Sequence, residues 1–356
     1  MKNSRKYLLV VVLLASFLLS ACAGALSASS WPGISADKTM AFVAYQTEVR
    51  AVRLSDHAQV WQYPEKGSQP FYAPPALTKD GNQLIVGDYN HALFSLNPAS
   101  TGTVAQVNWT FEGATGRYIA SPLVTDKYIL APNADKTLYA LDLNGKLVWS
   151  FTAKEALWGQ PTVDGNTVYQ PSLDHNLYAL ELDTGKKIWA TDLGGAMLNA
   201  PTLAPDGILY TGTLNKEVVA VDAKTGKVQW HTAVSGEVWA SPALNQNTLY
   251  VGDFVGDFYA INRSNGAILW TSKQGSAIVD TAALTDQGVV FGTEAGAVVY
   301  LDSSGKTLWN RTINGKLYTS PLFTGGQILV APTQGTDLLV AFDLNGNQAW
   351  TFVPPK

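Results

Sequence analysis

A single cysteine, Cys22, stands in 356 residues. No disulfide can form within the chain, and a cysteine-built zinc site is excluded. Charged side chains make up only 15% of the sequence, with a formal net charge of −4. No basic run occurs, so the electrostatic footprint of a nucleic-acid binder is missing. Helical patterning is also missing: beyond the N-terminus, no long stretch places apolar residues at i, i+3, i+4 and i+7. No Ser/His/Asp set, zinc spacing or phosphate loop is present, so no catalytic residue, metal ligand or cofactor is assigned. The chain is rich instead in Trp, Tyr, Gly and Pro. Strong β-formers broken by frequent turn residues predict an all-β protein.

The N-terminus is of a different kind. Lys2, Arg5 and Lys6 precede an apolar run over residues 7–19. That run is shorter than the roughly 20 residues a membrane-spanning helix needs, but it suits an export signal. It ends in Leu19-Ser20-Ala21-Cys22, which resembles a bacterial lipobox. Residues 1–21 therefore read as a lipoprotein signal peptide, residues 22–30 as lipidated Cys22 with a flexible tether, and residues 31–356 as the folded body. The tether reaches roughly 28 Å at most. The body is expected outside the cytoplasm, held to a bacterial membrane by acyl chains. Removing the leader takes three basic residues and no acid, leaving the body more acidic.

The main signal is a repeat. LYALDLNGKLVW (138–149) returns as LYALELDTGKKIW (177–189) and VVAVDAKTGKVQW (218–230). Its tryptophans are Trp61, Trp109, Trp149, Trp189, Trp230, Trp270, Trp309 and Trp350, with gaps of 48, 40, 40, 41, 40, 39 and 41 residues. A proline runs ahead of each: Pro32, Pro75, Pro122, Pro161, Pro201, Pro242 and Pro321, with Ala282 in the seventh copy. Each copy reads as four short strands. In the sixth they are placed at 241–244, 248–252, 257–261 and 268–272. Four strands in about 40 residues fit a propeller blade. The prediction is an eight-bladed β-propeller of four-stranded antiparallel blades, the eight tryptophans packing between neighbours. Burying about 200 Å² of indole is worth on the order of 5 kcal/mol at most.

The turn before each Trp follows the same logic. Asp222 is placed to accept backbone N–H bonds, and Gly226 to supply a positive φ. Asp142, Asp302 and Asp343 hold the matching place, and these acids read as structural. Proline at Pro132, Pro171 and Pro332, where other copies have glycine, predicts that the second strands end there.

The pattern A-x-D-x-x-T-G-K-x-x-W, met in full at 220–230, resembles the pyrroloquinoline-quinone (PQQ) type propeller repeat over about residues 31–353. That family includes quinoprotein alcohol dehydrogenases. It also includes non-catalytic lipoproteins of the outer-membrane β-barrel assembly machinery, the BamB type. A lipobox followed directly by eight blades is more similar to the second group. The adjacent-cysteine disulfide of the dehydrogenases has no counterpart, and the connections from each Trp to the next anchor are only 12 to 14 residues. The resemblance thus implies a non-enzymatic scaffold for another envelope protein. A solute- or quinone-binding module using the channel is the alternative, and a PQQ-dependent oxidoreductase a weaker one.

A binding surface is expected where the fourth-to-first connections meet. Three residues before each anchor stand Tyr72, Ile119, Trp158, Leu198, Trp239, Val279 and Tyr318, aromatic and aliphatic in alternation. They either cap the blade cores or form an aromatic collar for docking, since Trp and Tyr are favoured at interface hot spots. His91 and His175 share a slot in the short hairpins on that face, but blades diverge outward, which argues against a metal pair. No partner is identified for His57 or His231.

Overall fold

The computed structural model describes residues 30–67 and 70–355; Cys22 and the leader lie outside them. Contacts divide the chain into Met1–Ser30 and Trp31–Lys356, and the second unit holds every described strand. Eight separate four-stranded antiparallel sheets form, each from consecutive strands. The blades span residues 33–63, 76–111, 123–152, 162–192, 202–233, 243–273, 283–312 and 322–352. They are numbered 1 to 8 in that order.

Second and third strands are buried on both faces, as at Leu130-Ala131 and Leu138-Tyr139-Ala140-Leu141. This is why their sequences are continuously apolar rather than alternating. The core is correspondingly divided into clusters that each join two neighbouring blades. One joins blades 5 and 6 through Tyr210, Val218, Leu249 and Ile261, and another closes blade 8 on blade 1 through Ala331, Leu339, Val43 and Val52.

In every blade the third strand meets the fourth with a β-bulge just beyond the Trp pair. The residue opposite Trp is Ala in blades 1, 3, 4, 5, 6 and 8, Ser95 in blade 2 and Tyr300 in blade 7. Opposite Ala, Ser or Tyr alike, the indole reaches toward the next blade. There the Trp149 Nε1–H donates to the carbonyl of Leu182 at 2.8 Å, Trp189 to Ala223 at 3.1 Å and Trp230 to Arg263 at 3.1 Å. The same bond runs from Trp61 to Pro98, Trp109 to Leu143, Trp270 to Ser303 and Trp309 to Leu344. The receiving turn presents its glycine to the ring: a Cβ on Gly226 would lie 2.8 Å from Trp189. Gly226 does have φ of 72°, so it is needed for both conformation and contact.

The seam between blades 8 and 1 is built differently. Trp350 donates to Gln327 of its own blade at 2.9 Å. His57, with φ of 60°, occupies the turn position that glycine holds in blades 3 to 8. Its ring stacks on Trp350 at 4.4 Å, which supplies the partner the sequence did not reveal. His231 faces Glu217 at 3.3 Å. The long connection in blade 2 folds back on blade 1, where Gln62 bonds Thr103 and Ala105.

Blade 6 strands are Ala243–Asn245, Thr248–Gly252, Asp257–Asn262 and Ile268–Lys273, within two residues of expectation. Second strands end at Pro132 and Pro171, and the blade 8 strand stops at Val330, before Pro332. In the short hairpins the left-handed residues are His91, Lys136, His175 and Lys216, with φ from 61° to 77°. One position earlier, Asp135 and Asp174 accept from the N–H two residues on.

Candidate functional site

The connection into each blade follows one rule. The residue four before each anchor is buried: Phe71, Tyr118, Leu157, Met197, Val238, Ile278 and Leu317. Each plugs the junction with the preceding blade. Tyr118 takes the space a side chain on Gly87 would need, Val238 that of Gly212, Ile278 that of Gly252 and Leu317 that of Gly292. This is the physical reason for glycine at those strand ends. With the plug fixed inward, the next side chain of an extended chain points the other way, into the central channel.

A second device holds the plug. The residue after each of those glycines or prolines is polar and buried: Asp88, Asn133, Ser172, Thr213, Asp253, Thr293 and Thr333. The carbonyls of Asp88, Asn133, Ser172, Thr213 and Asp253 accept the N–H of the next plug at 3.0 to 3.3 Å. Asp253 does most. Oδ1 accepts from the N–H groups of Val255, Gly256 and Asp257, and Oδ2 from Gly236 N–H at 2.8 Å and the Tyr259 hydroxyl at 3.0 Å. Sequence reasoning missed this ring. Its signal was a polar residue recurring directly after the strand-end Gly or Pro.

Tyr72, Ile119, Trp158, Leu198, Trp239, Val279 and Tyr318 all line one channel of about 1020 Å³. The structure brings the seven together. Trp31, beside the first anchor rather than three residues ahead of it, lines the same channel and was also missed. It stacks on Tyr318 at 4.7 Å and leans on Tyr72 at 5.6 Å. Tyr72 stacks on Tyr89 at 4.8 Å, and the Arg117 guanidinium lies 4.8 Å over Tyr89. The alternation is therefore broken, with a continuous run of rings on one side. There the Tyr72 hydroxyl is pushed up to about 12, first by burial and then by Tyr89 and Tyr318. The Tyr318 hydroxyl and Lys316 both donate to Glu294 at 2.8 Å. Those bonds, from Lys316 foremost, hold the Glu294 carboxyl below its usual range.

The opposite side is more open. Trp158 is 39% exposed. Trp239 stacks at 4.9 Å on Phe254, at the tip of the blade 6 hairpin. Phe254 and Val255 are themselves 40% and 51% exposed, and the Val255 place is held in blades 2 to 5 by Asn90, Asp135, Asp174 and Asn215. The mouth is thus lined by aromatic and aliphatic side chains and is apolar at its blade 6 lip.

Asp280 lines the same channel. Its Oδ1 accepts from Asn199 Nδ2 at 3.1 Å and Thr281 N–H at 2.7 Å, and its Oδ2 from Ser320 N–H at 2.9 Å. Burial outweighs these bonds and pushes its pKa up. Among the described residues no three His, Cys, Asp or Glu side chains converge as a metal site, and no helix is long and apolar enough to cross a membrane.

The sequence profile of the family described as outer membrane protein assembly factor BamB matches residues 45–157, 134–206, 173–284 and 256–355. Outer membrane protein assembly factor BamB of Burkholderia pseudomallei is 28% identical over 112 residues, 32% of this chain and 29% of that protein. The Yersinia pestis protein of the same name is 26% identical over 209 residues, 53% and 52% of the two chains. Tetrathionate hydrolase of Acidithiobacillus ferrooxidans is 25% identical over 309 residues, 77% of this chain and 49% of that enzyme. The chain thus spans about half or less of the length of these relatives. The crystal structure of BamB from Moraxella catarrhalis superposes with a TM-score of 0.74 at 18% identity, covering 86% of this chain and 94% of that one. The computationally designed Ika8 protein reaches the same score at 14% identity, covering 89% and 97%. At such identities the likeness is one of fold.

Proposed function

Because the chain belongs to the family of the outer membrane protein assembly factor BamB, we propose that it is a non-catalytic scaffold of a bacterial cell envelope. It is held to the membrane through lipidated Cys22, with residues 22–30 as tether, and binds another envelope protein through the collar face. One observation carries the reading: the collar side chains converge on one mouth, with Trp158, Phe254 and Val255 exposed at its edge. An exposed aromatic cluster rimmed by polar hairpins has the composition of an interface hot spot. The packed rings elsewhere in the collar keep that mouth rigid, which lowers the ordering cost of docking.

The test is photocrosslinking of envelope proteins in living cells, comparing wild type with Trp158→Ala/Trp239→Ala. Crosslinks to a specific partner should fall at least about tenfold in the double variant, a loss on the order of 1.4 kcal/mol or more. An unchanged partner set would exclude the collar as the docking site. Cys22→Ala separately tests the anchor: the protein should move from the membrane fraction to the soluble periplasmic or culture fraction. Absorbance after mixing with pyrroloquinoline quinone and calcium tests the oxidoreductase reading, and a stoichiometric bound chromophore would favour it over the scaffold.

A further inference from the structure

The channel carries a carboxylate and no basic side chain. Among the described residues that line it, Asp280 is the one Asp or Glu, and no Lys, Arg or His is present. Asn199, Asp280 and Ser320 lie in the segments entering blades 5, 7 and 8. Their bonds therefore hold the carboxyl between three blade entries. Every donor to it is neutral. Nearby, the Thr319 hydroxyl oxygen is buried without a hydrogen-bond partner in the same wall. A fixed carboxylate without a counter-ion attracts a cation.

The walls around it say what kind. Trp31, Tyr72, Trp158, Trp239 and Tyr318 line the mouth, and ring faces attract ammonium and guanidinium groups. Ile119, Leu198 and Val279 alternate with them. A bare divalent ion wants several oxygen ligands, and no cluster of three ligating side chains exists among the described residues. The volume of about 1020 Å³ suits a molecule with an apolar body, comparable to small-molecule pockets of about 300–1000 Å³.

We propose that the channel is a binding site for an organic cation, its ammonium or guanidinium head paired with Asp280 and its apolar body held by the collar. The head belongs either to a free amine or to a Lys or Arg side chain presented by a protein. This assignment shares the collar with the docking reading but is tested without an envelope partner, so the two can fail separately.

The experiment titrates the full chain in a neutral detergent with benzyltrimethylammonium and with benzyl alcohol, read by calorimetry and tryptophan fluorescence. The cation should bind about tenfold tighter or more, and Asp280→Asn should abolish that preference while retaining weak binding of the alcohol. Carbon-13 NMR of the Asp280 carboxyl in the wild type guards against a misfolded variant: the cation should lower its titration midpoint. An acetylated Phe-Lys amide binding tighter than benzyltrimethylammonium assigns the head to a protein side chain, and the reverse order to a free amine. Equal affinity for cation and alcohol, or an unmoved Asp280 midpoint at saturation, overturns the proposal.

Discussion

A turn glycine here answers to two masters, and the two can be separated. Gly226 has φ of 72° and lies against Trp189, with Thr191 Oγ1 2.7 Å from where its Cβ would be. Gly81 has the same φ of 72° and nothing within 4 Å. Gly81→Ala should therefore cost only the backbone term, roughly 1–2 kcal/mol. Gly226→Ala should cost about 1–3 kcal/mol more, because the indole must shift. Urea denaturation at constant m measures both, and equal losses would mean that the indole contact contributes nothing. The carboxylates divide in a similar way. The Asp222, Asp302 and Asp343 carboxyls are held low by hydrogen bonds from Thr225, Ser304 and Asn347. Their contribution is present above the unfolded value and is lost as pH falls through the depressed folded values. Asp280 is raised by burial, so the sign reverses: its stability term is full below the unfolded value and is lost as pH rises through the folded one. Relative to wild type, Asp280→Asn should thus gain stability as pH is raised from about 4 to 7, in urea titrations at each pH. A pH-independent difference would place Asp280 in an ordinary solvated setting.

At the scale of one hairpin, a single side chain organises the blade 6 lip. Asp253 accepts five hydrogen bonds, four from backbone N–H groups and one from Tyr259. Thr293 in the same place of blade 7 accepts one, from Ala297 N–H at 3.1 Å. Asp253→Ala strands buried donors and should cost roughly 3–5 kcal/mol, against about 1 kcal/mol for Thr293→Ala. Hydrogen exchange at residues 254–257 should accelerate in the first variant alone; protection there in Asp253→Ala would show that the turn holds without its acceptor. These polar residues show where the sequence stops being readable. The strand order, the Trp repeat and the asparate turns are legible because they depend on neighbours a few positions away. The buried polar ring and the plugs are not, because Asp253 acts on Gly236, in the loop before its own blade, and Ile278 on Gly252 of the preceding one. A strand-end Gly in one repeat is explained only by an apolar side chain about 26 residues later, in the next. The seven collar positions were readable as a set, since one spacing rule generates them. Trp31 was not, since the first copy breaks that rule, and Asp280 was masked by its place among Ala, Gly, Asn and Thr in the other copies.

For the whole ring, closure is the distinctive problem. Every blade is contiguous in sequence, so no strand is exchanged between the first and last blades and no peptide bond crosses that seam. What crosses is side chains: Trp31 on Tyr318 at 4.7 Å, His57 on Trp350 at 4.4 Å, and the Tyr45 and Thr333 hydroxyls at 2.9 Å. The other interfaces add a covalent link to their packing, which limits how far neighbours can separate after a local opening. In an architecture stabilised by nearest-neighbour contacts, opening should therefore start where the link is missing. Trp31→Ala removes a stacked ring and its contact with Tyr72, and should cost about 2 kcal/mol. Exchange should rise first in Gly33–Ala36 and Leu322–Thr324, the inner strands flanking the seam, while Thr162–Asp164 across the ring keeps wild-type protection. A uniform rise in all eight inner strands would instead show that the ring opens as one cooperative unit, with the seam no weaker than the linked interfaces.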